Sequence, residues 1–216
     1  MIQISELHFS SEDGIKVLED VHLHVDRGEM VTIAGPAAAG KSVLLGLLAA
    51  QIRPQAGQIL VYGRNIARLS RKKAYDLRRR IGFMPQGFTP LAKTTMGNLL
   101  FKLRTLGDFP EQAEEKALTA LEKTGLTARL ASEADQLDPV DQARLGLALA
   151  VCDEPHLLVC DEPFGTLEPS SRTAIADVIE RLHANGLTVV VAARNPAMNA
   201  EQPGRLVRLV DGRVSE

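Results

Sequence analysis

An α/β fold built on a parallel sheet is what this sequence predicts, and three observations carry the prediction. Short apolar runs, each long enough for one buried strand, recur at Met30–Ala34, Leu157–Cys160 and Leu187–Ala193. The first of them passes through a glycine-bounded loop, Gly35-Pro36-Ala37-Ala38-Ala39-Gly40-Lys41-Ser42, into an apolar helix, Val43–Leu48. From Phe88 to about Gln136 the β-branched runs disappear and helix formers dominate, with Ala113, Ala117, Leu118 and Leu121 at helical spacing. That stretch reads as a helical insertion within one α/β domain.

Taken in order, Met1 to Phe9 alternates apolar and polar residues, as does Val17 to Val25, so both read as half-buried strands of an antiparallel patch. Asp26-Arg27-Gly28-Glu29 turns the chain into the core strand. After the first helix, Arg53-Pro54-Gln55-Ala56-Gly57 breaks the chain and Gln58–Gly63 resumes a strand. Arg71–Arg80 is strongly basic, predicts a helix and reads as a solvated face. Ile81–Gln86 is a short strand that stops at a proline and a glutamine. Asp138, Pro139 and Asp141 make a strong helix start as N-cap, first and third positions. Ser170–Ala184 is an amphipathic helix ended at Asn185-Gly186. Asp211-Gly212 between Arg205–Val210 and Arg213-Val214 is a tight hairpin signal.

Composition narrows the class. The 216 residues suit one large domain, or one domain with an insertion, and 45% hydrophobic with 24% charged residues is ordinary for a globular chain. The net charge of −2 gives no electrostatic case for nucleic acid. No apolar run approaches the ~20 residues a spanning helix needs. Cys152 and Cys160 are spaced unlike zinc or redox motifs and read as core residues in a reducing cytoplasm, so any membrane contact is expected through a partner.

The chemistry lies in two segments. Gly35 and Gly40 let the backbone of Gly35–Val43 wrap so that its N–H groups point inward, and the following helix adds its positive end. Lys41 then reaches the β- and γ-phosphates of a nucleoside triphosphate, and the Ser42 hydroxyl takes one Mg²⁺ position. The apolar strand Leu157–Val159 leads through Cys160 into Asp161-Glu162: Asp161 holds Mg²⁺, and Glu162 orients or deprotonates the attacking water. The similar Cys152-Asp153-Glu154-Pro155 ends no strand and reads as a loop without chemistry.

With these parts in this order, the chain resembles the ATPase subunit of ABC systems over its whole length, and Leu77-Arg78-Arg79-Arg80-Ile81-Gly82 looks most like the FtsE/LolD-type subgroup. The resemblance implies a P-loop NTPase fold with a RecA-like core. Residues 1–87 and 155–216 form that core with its β subdomain, and 88–154 form a helical subdomain that docks on a permease. It implies ATP and Mg²⁺ as cofactors, Gln86 as the glutamine that approaches Mg²⁺, and Phe9 as the adenine-stacking aromatic. Its partners are a transmembrane permease-type subunit and a second ATPase, in a homodimer or heterodimer beneath the membrane. Two departures bear on catalysis. Leu137-Asp138-Pro139-Val140-Asp141-Gln142 stands where relatives carry Leu-Ser-Gly-Gly-Gln, which grips the γ-phosphate of the opposing subunit. Arg194 stands where they carry a switch histidine; it still offers a charged fork to a γ-phosphate but shuttles no proton. A milder change leaves Glu168 where relatives end their Gly165-Thr166-Leu167 loop in aspartate.

Overall fold

A computed structural model describes residues 1–165, 167–194 and 204–215. The elements are β1 (Ile2–Ser10), β2 (Lys16–Val25), β3 (Met30–Ala34), α1 (Lys41–Leu48), β4 (Ala56–Val61), β5 (Arg64–Asn65), α2 (Arg71–Arg79) and β6 (Ile81–Met84). They continue with α3 (Thr95–Thr105), α4 (Pro110–Thr124), α5 (Pro139–Val151), β7 (Leu157–Asp161), α6 (Pro169–Ala184), β8 (Thr188–Ala193), β9 (Arg205–Val210) and β10 (Arg213–Ser215). An antiparallel sheet of order β2-β1-β4-β5 faces a second sheet of order β10-β9-β3-β8-β7-β6, parallel except for β10.

The continuous apolar runs follow from burial on both faces of the parallel sheet. On one face Leu157 and Val159 of β7 and Val190 and Ala192 of β8 join α1 and the inner face of the antiparallel sheet. On the other, Leu158, Cys160, Val189 and Val191 pack against α3 to α6. Helix α1 thus lies between the two sheets, apolar almost all round, with Leu44, Leu45, Leu47 and Leu48 at 0% exposure. The β9–β10 hairpin turns through Asp211 (φ 47°) and Gly212 (φ 73°), the two left-handed residues a type I′ turn requires.

Three details differ from the sequence reading. The strand after the first helix runs Ala56–Val61 instead of Gln58–Gly63, and it ends two residues earlier because Tyr62 and Gly63 take left-handed conformations and turn the chain. Leu118 is 40% exposed: α4 buries Ala113, Ala117, Ala120 and Leu121, and position 118 lies 100° round the helix from 117. In α2, Leu77 is buried and Arg79 is half-buried and ion-paired instead of lying on a free solvated face.

Arg79 instead anchors an ion cluster. Its Nε and Nη2 donate to the two carboxylate oxygens of Asp153 at 2.9 and 3.2 Å, and its Nη1 donates to the Leu106 carbonyl. Lys116 of α4 donates to Asp153 at 2.9 Å and to Asp108 at 2.8 Å. The segment Cys152–Pro155, read as a plain loop, therefore ties α2 of the core to the helical layer. Burial opposes the charge on Asp153, but the hydrogen bonds from Arg79 and Lys116 outweigh it and hold the carboxyl below its usual 3.8.

Candidate active site

The candidate residues meet because β3, β8 and β7 are adjacent and parallel. In register, Ala34 lies beside Ala193 and Asp161 beside Ala192, so Gly35, Arg194 and Glu162 leave the sheet together at its carboxyl edge. That edge is where open α/β sheets place ligands. The amide of Gly35 donates to the Ala193 carbonyl at 3.2 Å and that of Glu162 to Ala192 at 3.1 Å, which fixes both loops to β8.

Sequence reasoning assigned the loop glycines to wrapping alone, but neighbours also demand them. A Cβ on Gly35 would stand 2.0 Å from the Leu209 carbonyl oxygen of β9. Gly40 has φ 97°, and a Cβ there would stand 2.8 Å from the Val17 carbonyl of β2. The loop is thus clasped between two strands distant in sequence. Gly40 precedes α1, so the amides of Lys41, Ser42 and Val43 have no intrahelical acceptor and face outward with the helix's positive end. Ala38 holds a left-handed φ of 62°. Pro36 brings no N–H, and its part is its carbonyl.

Lys41 is 6% exposed, and its ammonium makes two hydrogen bonds and one ion pair. Nζ donates to Gly35 O at 2.8 Å and Pro36 O at 2.9 Å, and lies 3.3 Å from Glu162 Oε1. The same carboxylate oxygen lies 3.6 Å from Nε of Arg194, whose side chain is 61% exposed. A row of alternating charge, Lys41, Glu162, Arg194, therefore runs from the interior to the surface. Glu162 is itself left-handed, with φ 50°, a conformation that costs about 1–3 kcal/mol and clusters at functional positions.

Asp161 ends β7 at 4% exposure, and its Oδ1 is buried with no hydrogen-bond partner among the described residues. An orphaned carboxylate oxygen at the sheet edge from which the loop leads to the exposed Ser42 suits a hard divalent cation, which takes oxygen ligands. The arrangement can cradle anionic oxygens on amides and an ammonium, hold a cation on Asp161, and accept a proton on Glu162. Cys160, next to Asp161, takes no part: burial and then the Asp161 charge push its thiol far above the usual range.

Gln86 is exposed and lines a cavity of about 460 Å³ with Glu162, Arg194, Pro139 and Gln142. That cavity sits between the sheet edge and the start of α5. Asp138 is the N-cap of α5, its carboxylate accepting from the Asp141 amide at 2.9 Å. Pro139 has no N–H, so of the first three helical positions only Val140 keeps a free donor. Phe9, half-buried, pairs with Leu18 of β2 next to Val17, on the strands that border Gly40. Asn195, Thr166 and the segment to 203 lie outside the described residues.

Comparison with known proteins adds four findings. The family model described as ABC transporter matches residues 18–165. The cell division ATP-binding protein FtsE of Bacillus subtilis is 29% identical over 213 residues, 98% of this chain and 93% of that protein. The uncharacterized ABC transporter ATP-binding protein YknY of the same organism is 32% identical over 99% of this chain and 95% of its own length. Among solved structures, a dimeric post-hydrolysis state of the ATP-binding cassette MJ0796 bound to ADP and Pi superposes with a TM-score of 0.87, at 25% identity over all of this chain and 97% of that one.

Proposed function

The chain belongs to the ABC transporter ATP-binding family, and from that premise we propose that it binds Mg-ATP at the carboxyl edge of the parallel sheet and hydrolyses it to drive a transmembrane permease-type partner, in transport or in FtsE-like mechanical signalling. The observation that carries this is the buried ammonium of Lys41 held at the mouth of the loop and already engaged with a carboxylate. Glu162 occupies the place of an anion. A γ-phosphate that competes for Lys41 releases Glu162 to take a proton from the attacking water, giving ADP, phosphate and a proton.

The amides of Ala37–Val43 would surround the phosphate tail, Pro36 and Gly35 would steady Lys41, and Phe9 would meet the base. Ser42 and Asp161, with Gln86 approaching from the cavity, would hold Mg²⁺. When bound, that cation neutralises charge on the phosphate oxygens. Arg194 would offer its guanidinium to the γ-phosphate once Glu162 turns away. The domain organisation follows: residues 1–87 and 155–216 as core, 88–154 as the helical part that meets the partner at the inner face of a membrane. Among the described residues no helix is long and apolar enough to cross one.

A second reading, an impaired nucleotide-binding subunit that regulates or scaffolds, is favoured by the start of α5. A phosphate presented there by a second subunit meets the Asp138 carboxylate and one free amide. Loss of one preorganised donor typically removes about 3 kcal/mol of transition-state stabilisation. A homodimer would then turn over slowly, and a heterodimer would keep one working site, built on Lys41 and Glu162 and completed by a partner with an intact signature.

Calorimetry with Mg-ATP on the native chain and on Lys41→Ala tests the binding. Heat is expected for the native chain only, and equal heat from both would overturn the assignment. Turnover of the purified chain separates the readings: fast hydrolysis in the absence of any partner would remove the case for an impaired signature.

A further inference from the structure

Charge on this chain is separated along its length. Residues 53–80 carry nine of the 25 Lys and Arg but one of the 27 Asp and Glu, on a chain whose total is −2. Arg79 is paired within the cluster described above. The other eight cations are exposed, and none of them forms an ion pair among the described residues. A basic helix face that is merely solvated would spread its side chains outward. Here three of them, Arg53, Arg71 and Arg78, converge on one cavity of about 220 Å³.

That cavity lies between the end of α1 and the first turn of α2, floored by Ile52, Ile66 and Leu69 and lined by no carboxylate. Arg78 gives one N–H to the Ala50 carbonyl at 3.4 Å, which leaves most of its fork unused. Three like charges around an apolar concavity repel one another, and low-dielectric walls focus their field inward. An anion placed among them removes the repulsion and meets planar forks that match phosphate oxygens. From Lys41 the site is a helix length away, about 12 Å along α1. We propose that this cavity is a second, separate anion site that takes a phosphate-bearing ligand, either a free polyphosphate or the headgroup of an anionic phospholipid. It does not depend on what the loop at Lys41 binds.

The test uses the full chain carrying Lys41→Ala, so that phosphate at the loop does not contribute. Pyrophosphate binding is measured by calorimetry, and co-sedimentation is measured with phosphatidylglycerol-containing vesicles and with phosphatidylcholine vesicles. The triple substitution Arg53→Gln, Arg71→Gln, Arg78→Gln is compared with Arg64→Gln, Lys72→Gln, Lys73→Gln, which removes equal charge from the neighbouring surface. The cavity triple should weaken binding at least about tenfold, because it removes charge-assisted hydrogen bonds. The control should weaken it less than about threefold, as exposed, screened charges do. Selective loss of pyrophosphate binding assigns a free ligand, and selective loss of phosphatidylglycerol binding assigns a headgroup. Equal losses in both triples, or no saturable binding of either probe, overturn the proposal. If the glutamine triple does not fold, the Arg→Lys triple keeps the charge and loses the fork. Undiminished affinity in that variant overturns it too.

Discussion

Replacing Asp153 by asparagine tests whether the tie between α2 and the helical layer is electrostatic. The Asp153 side chain is 10% exposed and accepts three charge-assisted hydrogen bonds, from Arg79 Nε at 2.9 Å, Arg79 Nη2 at 3.2 Å and Lys116 Nζ at 2.9 Å. An amide of the same shape keeps one oxygen and turns an NH₂ toward a cation, so one or two of the three are lost with the charge. Each is worth about 1.5–3 kcal/mol when well buried. Arg79 and Lys116 remain 33% and 27% exposed, and Lys116 keeps Asp108 at 2.8 Å. Screening and that residual partner reduce the expected loss to about 2 kcal/mol. The pH dependence adds a second check. Asp153 titrates lower in the folded chain than its usual 3.8, so the unfolded chain binds the proton first. The stabilisation is therefore complete above the unfolded value and is lost as pH falls through the folded one. Urea unfolding of both proteins at pH 7, repeated at stepwise lower pH, should show a gap that closes below about pH 4. A gap under about 0.5 kcal/mol at pH 7, or one that persists unchanged into acid, would refute an ionic tie.

Gly35→Ala would place a methyl 2.0 Å from a backbone oxygen in the β3–β9 ladder, so it should destabilise by about 3 kcal/mol or more in urea; a loss under about 1 kcal/mol would mean that β9 yields freely. Cys152 and Cys160 are both buried, with burial first among the causes that raise their thiols, so neither should react with an aromatic disulfide at pH 8 until urea unfolds the chain. Reaction of the native protein would contradict that burial.

Much of the fold is legible in the sequence where one local rule decides. The five-residue run Met30–Ala34 is too short for a helix and too apolar for an edge, and it forms β3 in the middle of the sheet. Asp138 and Pro139 start α5 as capping chemistry requires. Leu118 failed because helical spacing marks a stripe but not its width. The basic run Arg71–Arg80 is plain in the sequence, but its convergence with Arg53 on one cavity is not, because that depends on how the end of α1 meets α2. The role of Asp153 was illegible because its partners, Arg79 and Lys116, lie 74 and 37 residues away.

What the sequence determined by itself is the succession of strand, phosphate-type loop and helix, and the Asp-Glu pair that closes a later strand. These depend on spacing and on residue type within a few positions. Tertiary structure alone decided that β8 lies between the two strands and brings Lys41 within 3.3 Å of Glu162. It also decided that Leu209 and Val17 forbid side chains at Gly35 and Gly40. Both are contacts between segments far apart in the chain, set by sheet order and register, and no local propensity encodes them.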